Sequence, residues 1–365
     1  MQTPLERMIN RGMEIQQIPA PTFQEKERAA FVFDRFQEEG NVSVEWDPAG
    51  NVLACLKGTV SSSSPILVSA HLDTVFPSGT NLRQTHESDR LFGAGIGDNS
   101  IGVAGLFGML WSLSTRDIHL PTDLWLIANV CEEGLGDLKG MRAVVERFGD
   151  KPKAYIVLEG LALGHVYNRA LGVRRYQVAI HTSGGHSWTD YGQPSAVHKL
   201  ANLTSKLTAL TMPMGLRTSL NVGRISGGTS VNTIASDADI ELDLRSEDPK
   251  ALETIIKKVE QLIHSFEQPG VDVHLEVISQ RPYGEIDGNH PLVQNALDCL
   301  VEQGIKPILS IGSTDANLPL SLGYPAVTIG LSHGGSAHTV HEYIYTEPLQ
   351  KGLEQLVQLV LKTGG

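Results

Sequence analysis

The sequence predicts an α/β protein built on a mostly parallel sheet and interrupted by an inserted ferredoxin-like α+β domain. Three observations predict it. Four apolar segments, "ILVSAHLD", "DLWLIANVCEEG", "KAYIVLEG" and "PAVTIGLSHGGSAHTVHE", each end in polar residues, as strands do when their carboxyl ends line a site. Helical patterns separate the first three segments, which is the alternation of βα units. Between about residues 171 and 278 the pattern changes to strand, helix, strand, strand, helix, strand, the order of a split β-α-β unit. The expected division is 1–170 and 281–365 for the main domain, with 171–280 inserted between them.

Composition narrows the class. A chain of 365 residues suggests about two domains, and 41% hydrophobic content fits a folded globular protein. The opening "MQTPLERMINRGMEIQ" reads as an amphipathic helix, not a secretion signal, and no run approaches the roughly 18 apolar residues of a membrane span. Cys55, Cys131 and Cys299 are widely spaced and form no CxxC pair, which argues against a disulfide framework and for a reducing, cytoplasmic setting. A formal charge of −12 disfavours nucleic acid as a partner. It does permit carboxylates gathered around a cation.

Taken in order, the first strand ends in "SAHLDTVF", residues 69–76, and places His71 and Asp73 two apart where the apolar pattern stops. The turn "SSSS" at 61–64 precedes it as a surface connection. "GAGIGDNSIG" follows, with Asp98 between a glycine-rich turn and an apolar helix expected at 101–114. Asp98 there reads either as a helix cap or as a ligand; a phosphate loop is disfavoured because the Walker lysine is missing. The second strand runs into Glu132 and Glu133, and a helix is expected around 140–147. Adjacent side chains on an extended segment point to opposite sides, so one carboxylate can bind metal while the other handles protons. Glu159 ends the third strand, where burial of a lone carboxylate is costly unless a cation or partner meets it. The last strand leads to His333, His338 and His341, and the first pattern leaves open which of them contributes a ligand.

These groups converge on one end of the expected sheet, and imidazole with carboxylate is a donor set for zinc. In that setting His71 supplies a ligand while Asp73 orients the other nitrogen of its ring.

The ordered motifs "SAHLDTV", "GAGIGDNSIG", "CEEG", "LEG", "SGGHS", "GGTSVN", "DLR", "GSTDAN" and "AHTVHE" carry a resemblance over nearly the whole chain. It is similar to the family of cocatalytic-zinc exopeptidases and deacylases that includes glutamate carboxypeptidase, succinyl-diaminopimelate desuccinylase, aminoacylase and peptidase T. The resemblance implies two divalent ions, zinc first with cobalt or manganese as alternatives. His71, Asp98 and Glu159 are then expected at one, and Asp98, Glu133 and His338 at the other. His338 is preferred because the family's ligand lies four residues before the glutamate matched by Glu342. Glu132 resembles the general base. The inserted domain is expected to act as a lid and to form a homodimer, with His186 of "SGGHS" stabilising the substrate oxygen. Asn232 and Arg245 resemble contacts to the substrate backbone or carboxylate, and Gly312, Thr314 and Asp315 a substrate-facing turn. Here the pattern departs: Ser313 replaces a glycine, no arginine precedes the turn, and Asn99-Ser100 follows Asp98.

The expected function is hydrolysis of amide bonds in small peptides, with peptidase T-like aminopeptidase or dipeptidase action ahead of carboxypeptidase or N-acyl amino-acid deacylase action. A non-catalytic metal-binding protein of the same fold is the reading from another class. No G-x-S-x-G elbow supports a serine hydrolase.

Overall fold

Parallel strands covered on both faces need near-continuous apolar runs, and four segments of this chain meet that demand. A computed structural model describes residues 2–60 and 63–365, so Ser61 and Ser62 of the expected turn lie outside the described residues. The chain divides into two units, one formed by the residues up to Ala170 and from Gly284 onward, the other by Leu171–Tyr283. The return falls a few residues later than the expected 281.

In the first unit, strands Leu124–Asn129, Ile66–His71, Ala154–Glu159 and Ala326–Gly330 lie side by side in that order and run parallel. The flanks are antiparallel: Val52–Leu56 joins one side, and His165–Ala170 joins the other. The sheet is therefore mixed, with its parallel part at the centre. One face packs against helices Pro4–Gln16, Lys26–Glu39, Ile101–Thr115, Pro291–Glu302 and Leu349–Gly364. Helix Lys139–Phe148 and the short Asn317–Ser321 cover the opposite face.

Local sequence explains these helices. Thr3 accepts the amide of Glu6 at 3.2 Å while Glu6 accepts that of Thr3 at 2.8 Å, a reciprocal cap that starts the first helix. Helix Ile101–Thr115 is apolar all round because every residue from Ile101 to Leu113 is buried. Among the described residues no helix is long and apolar enough to cross a membrane.

The second unit has strands Gly172–Thr182, Thr218–Gly227, Asp237–Ser246 and Val271–Arg281, with helices Ala196–Thr208 and Pro249–His264. Its sheet order is Thr218–Gly227, Asp237–Ser246, Gly172–Thr182, Val271–Arg281, antiparallel throughout, which is the ferredoxin-like arrangement. Tyr176, Val178, Ile180, Ile240, Leu242 and Leu244 alternate onto the face that meets the helices. Arg175, Asp243 and Arg245 fall on the other face.

The three cysteines are buried and unbridged. Burial pushes the Cys55 thiol up to about 11, the Cys131 thiol up to about 12, with Glu25 adding to it, and the Cys299 thiol up to about 11. At pH 8 almost none is thiolate, the reactive form. Ellman's reagent should therefore titrate none in the native protein and all three after denaturation in guanidinium; a stoichiometric native reaction would contradict this burial.

Candidate metal centre

The four central strands end at one rim, where register sets His71 opposite Asn129 and Glu159 opposite Gly330. The segments leaving those ends bring the polar groups together. A hairpin of Gly334–Gly335 and Tyr343–Tyr345 pairs with Arg90–Phe92 and carries His338 between its strands. Asp98 lies in the turn that leads from Arg90–Phe92 into the buried helix, and its peptide bond to Asn99 is cis.

Asp98 stands between two imidazoles. Its Oδ1 is 3.1 Å from His71 Nε2 and its Oδ2 is 3.0 Å from His338 Nε2. Glu159 Oε2 lies 3.6 Å from His71 Nε2, and Glu133 Oε1 lies 3.3 Å from His338 Nε2. His71, Asp98 and Glu133 each place a donor atom within 4.8 Å of the others. Ligands held at the usual zinc distances on a tetrahedron are about 3.3 Å apart, so these separations fit edges of such a polyhedron. Asp98 caps no helix: the helix begins at Ile101 without a side-chain cap.

The site's surroundings fix these groups. His71 Nδ1 is 3.0 Å from the Asp73 carbonyl oxygen and 3.6 Å from its carboxylate, so the backbone is the nearer partner of the ring. The fully buried Asp73 carboxylate accepts the amides of Glu132 at 2.9 Å and Glu133 at 2.8 Å, and the Thr22 hydroxyl at 2.9 Å. As well as standing beside the His71 ring, it thereby holds the loop of the two glutamates. Both are buried, which does not fit two solvated surface acids.

Three supporting residues escaped the sequence reading. Glu342, noticed only as a marker for His338, is fully buried and accepts the amides of Gly95, Gly97 and Asp98 at 3.1, 2.7 and 2.8 Å. Asn99 donates to Leu158 O at 2.8 Å and accepts from Gly160 N at 2.9 Å, clasping the backbone on both sides of Glu159. Arg28, fully buried, donates to Leu72 O at 2.8 Å and to Ile18 O, fixing the peptide between His71 and Asp73. Glycine spacing was the available signal for Asn99, since Gly102 leaves the room its amide occupies. Nothing local marks Arg28.

The charges interact strongly. Burial pushes the Glu159 carboxyl up to about 7; His71 opposes this, while Asp98 and Asp315 add to it. Burial works against a charged His71, yet hydrogen bonds to Asp73, Asp98 and Glu159 raise it well above its ordinary value. Contacts to Asp98 and Glu133 raise His338 to about 10. Burial also opposes ionisation of Asp98, but His338 and His71 outweigh it and hold the group low. The pocket therefore attracts positive charge, and a divalent cation competes with protons for the same lone pairs.

Three other candidates, Gly312, Thr314 and Asp315, belong to the first unit. Asp315 is fully buried and accepts at 2.7 Å from Nδ2 of Asn129, the residue that stands opposite His71 in the sheet. Thr314 pairs its hydroxyl with that of Thr328 at 2.8 Å, and Gly312 ends the strand Ile308–Gly312. His186, Asn232 and Arg245 belong to the second unit. His186 Nδ1 accepts the amides of Trp188 and Thr189 at 3.2 and 3.3 Å, so the neutral ring carries its proton on Nε2. The Asn232 carbonyl accepts the amide of Ser187 at 3.0 Å, bringing it beside His186. Arg245 binds Asp243 through two nitrogens at 2.7 and 3.1 Å, an ion pair within the second unit.

The description of Peptidase family M20/M25/M40 matches residues 67–362. The chain belongs to this family. It is a metallohydrolase of the M20 type, whose substrates are peptides or amides. Succinyl-diaminopimelate desuccinylase of Corynebacterium glutamicum is 26% identical over 341 residues, covering 91% of this chain and 90% of that protein. Aminopeptidase PepT of Bacillus cereus is 25% identical, with a TM-score of 0.78 over 99% of each chain. A dinuclear metal-binding peptidase of the M20 family from Bacillus subtilis shares the fold at 19% identity, with a TM-score of 0.70 over 99% of each chain.

In this M20 chain a Cβ at Gly102 would lie 1.9 Å from Asn99 Oδ1. Gly102→Ala should displace the Asn99 amide and leave Leu158 O and Gly160 N without it, a loss of about 1–3 kcal/mol in urea unfolding. Unchanged stability would show that the Asn99 clasp is not needed.

Proposed function

We propose that the chain is a dinuclear metal-dependent exopeptidase of small peptides, an aminopeptidase or dipeptidase resembling peptidase T. The observation that carries this reading is Asp98, whose two oxygens address His71 and His338 separately. A carboxylate so placed suits a bridge between two cations, one served also by His71 and Glu159, the other by Glu133 and His338. The imidazole and carboxylate donors suit zinc, with cobalt or manganese as substitutes. Bound ions of this kind supply Lewis acidity toward the scissile carbonyl and lower the pKa of water.

The chain's own groups complete the reaction. Glu132, its amide held by Asp73, takes a proton from the attacking water and returns it to the leaving nitrogen. His186 hydrogen-bonds the carbonyl oxygen through its Nε2–H as negative charge develops there. Asn232 contacts the substrate backbone, and Gly312 and Thr314 belong to the turn that faces it. We assign His186 to act across a homodimer built through the inserted unit, in a cytoplasmic enzyme. The strand Thr218–Gly227 supports the dimer reading, since it lies at the end of its sheet with a largely exposed second half.

Likeness to the desuccinylase favours a second reading, cleavage of N-acyl amino acids or of carboxyl-terminal residues, with Arg245 released from Asp243 to anchor a carboxylate.

Glu132→Gln should keep its metal and lose about 10²–10⁴-fold in hydrolysis; an undiminished rate would remove Glu132 from proton transfer. Asp98→Ala should lose both equivalents of zinc by metal analysis, and retention of two would refute the bridge. Zinc-loaded protein given free-amino di- and tripeptides, N-blocked dipeptides and N-acyl amino acids should cleave the free-amino peptides. A preference for blocked substrates would instead establish the second reading.

A further inference from the structure

Three segments of the first unit are tied together by the hydrogen bonds of Asp73. Its carboxylate takes the Thr22 hydroxyl and the amides of Glu132 and Glu133. The same segments are joined again farther along. Thr74 N donates to Ala20 O at 2.8 Å, Ser78 Oγ to Gln24 at 2.9 Å, and Cys131 N to Glu25 at 3.1 Å. Each segment then presents one apolar side chain to water: Phe23 beside Thr22, Val75 two residues after Asp73, and Leu135 two residues after Glu133. Their exposures are 61%, 39% and 47%. Val340, two residues beyond His338, is 55% exposed. Single exposed hydrophobics are ordinary, but these four fall one apiece on segments that carry or hold the groups of the centre.

Phe23 is the least expected of them. Its φ is +73°, a region that disfavours residues with a Cβ and bulky ones most. Packing does not account for it, since most of the ring is in water. A glycine would satisfy the backbone at no loss of core, so the aromatic ring has its use outside the fold.

We infer that Phe23, with Val75, Leu135 and Val340, forms an apolar rim that binds a large hydrophobic side chain of the substrate. The enzyme then selects peptides or amides that carry such a residue near the scissile bond. This rests on the hydrolytic reading of the same centre. Burial of an apolar side chain in a rim of this kind favours it over hydrogen by about tenfold or more.

Binding separates the two ideas. Calorimetry with zinc-loaded Glu132→Gln protein should show Leu-Gly-Gly and Phe-Gly-Gly binding at least about tenfold more tightly than Gly-Gly-Gly. The same order is expected for N-acetylphenylalanine over N-acetylglycine. Adding Phe23→Ala should cut these ratios at least about fivefold, and ratios that persist, or that never exceed one, would overturn the rim. Tight, selective binding by a protein whose unmutated form hydrolyses no probe would leave the rim standing and defeat the hydrolytic reading; no binding of any probe would count against both. Phe23→Gly should raise Tm by about 1–2 °C through release of the disfavoured φ. A fall in Tm would assign the ring to packing and overturn the inference.

Discussion

Like charges crowded into a buried pocket repel, and the carboxylates of Asp73, Asp98, Glu133, Glu159 and Glu342 are crowded in this way. The surrounding architecture serves to keep them there. Asp73 and Glu342 are neutralised in part by backbone amides, two for the first and three for the second. Arg28 supplies a buried positive charge near Asp73, though burial lowers its own pKa to about 10. Asp98, Glu133 and Glu159 instead face imidazoles, and it is this inner group that remains able to hold cations. Amides stabilise the outer carboxylates permanently; the inner ones keep lone pairs that can be exchanged.

The division between legible and illegible follows from this arrangement. His71 and Glu159 could be read because each interrupts an apolar strand at its carboxyl end, and a polar residue there breaks a pattern that the rest of the strand maintains. Glu132 and Glu133 stood out as adjacent acids just beyond an apolar strand, and both are buried. The supporting groups left no such mark. Asn99 acts through two main-chain atoms about sixty positions away, and Arg28 through carbonyls that any residue would offer. Asp73 could be read as a neighbour of the His71 ring, but its hold on the amides of Glu132 and Glu133 could not, because those contacts join positions about sixty apart. The partner of Asp315, Asn129, lies 186 positions away and only tertiary structure shows it.

The fold itself was legible in a similar measure. Parallel strands at the sheet centre announced themselves by uninterrupted apolar runs, and the inserted unit by its alternation. The antiparallel flanks were less visible. Val52–Leu56 is a short buried run that periodicity cannot orient.

The contact between His338 and Asp98 joins residues 240 positions apart, with the whole inserted unit between them. Glu342 reaches back a similar distance to hold the amides of the Asp98 turn. Such a pairing must wait for a long loop to close, and non-local contacts of this span come slowly. On a growing chain, His71, Asp98, Glu133 and Glu159 emerge first, and His338 follows only after the inserted unit has been made. The centre is thus a late checkpoint of assembly: it is complete only when the two parts of the first unit, separated in sequence by the whole inserted unit, have met.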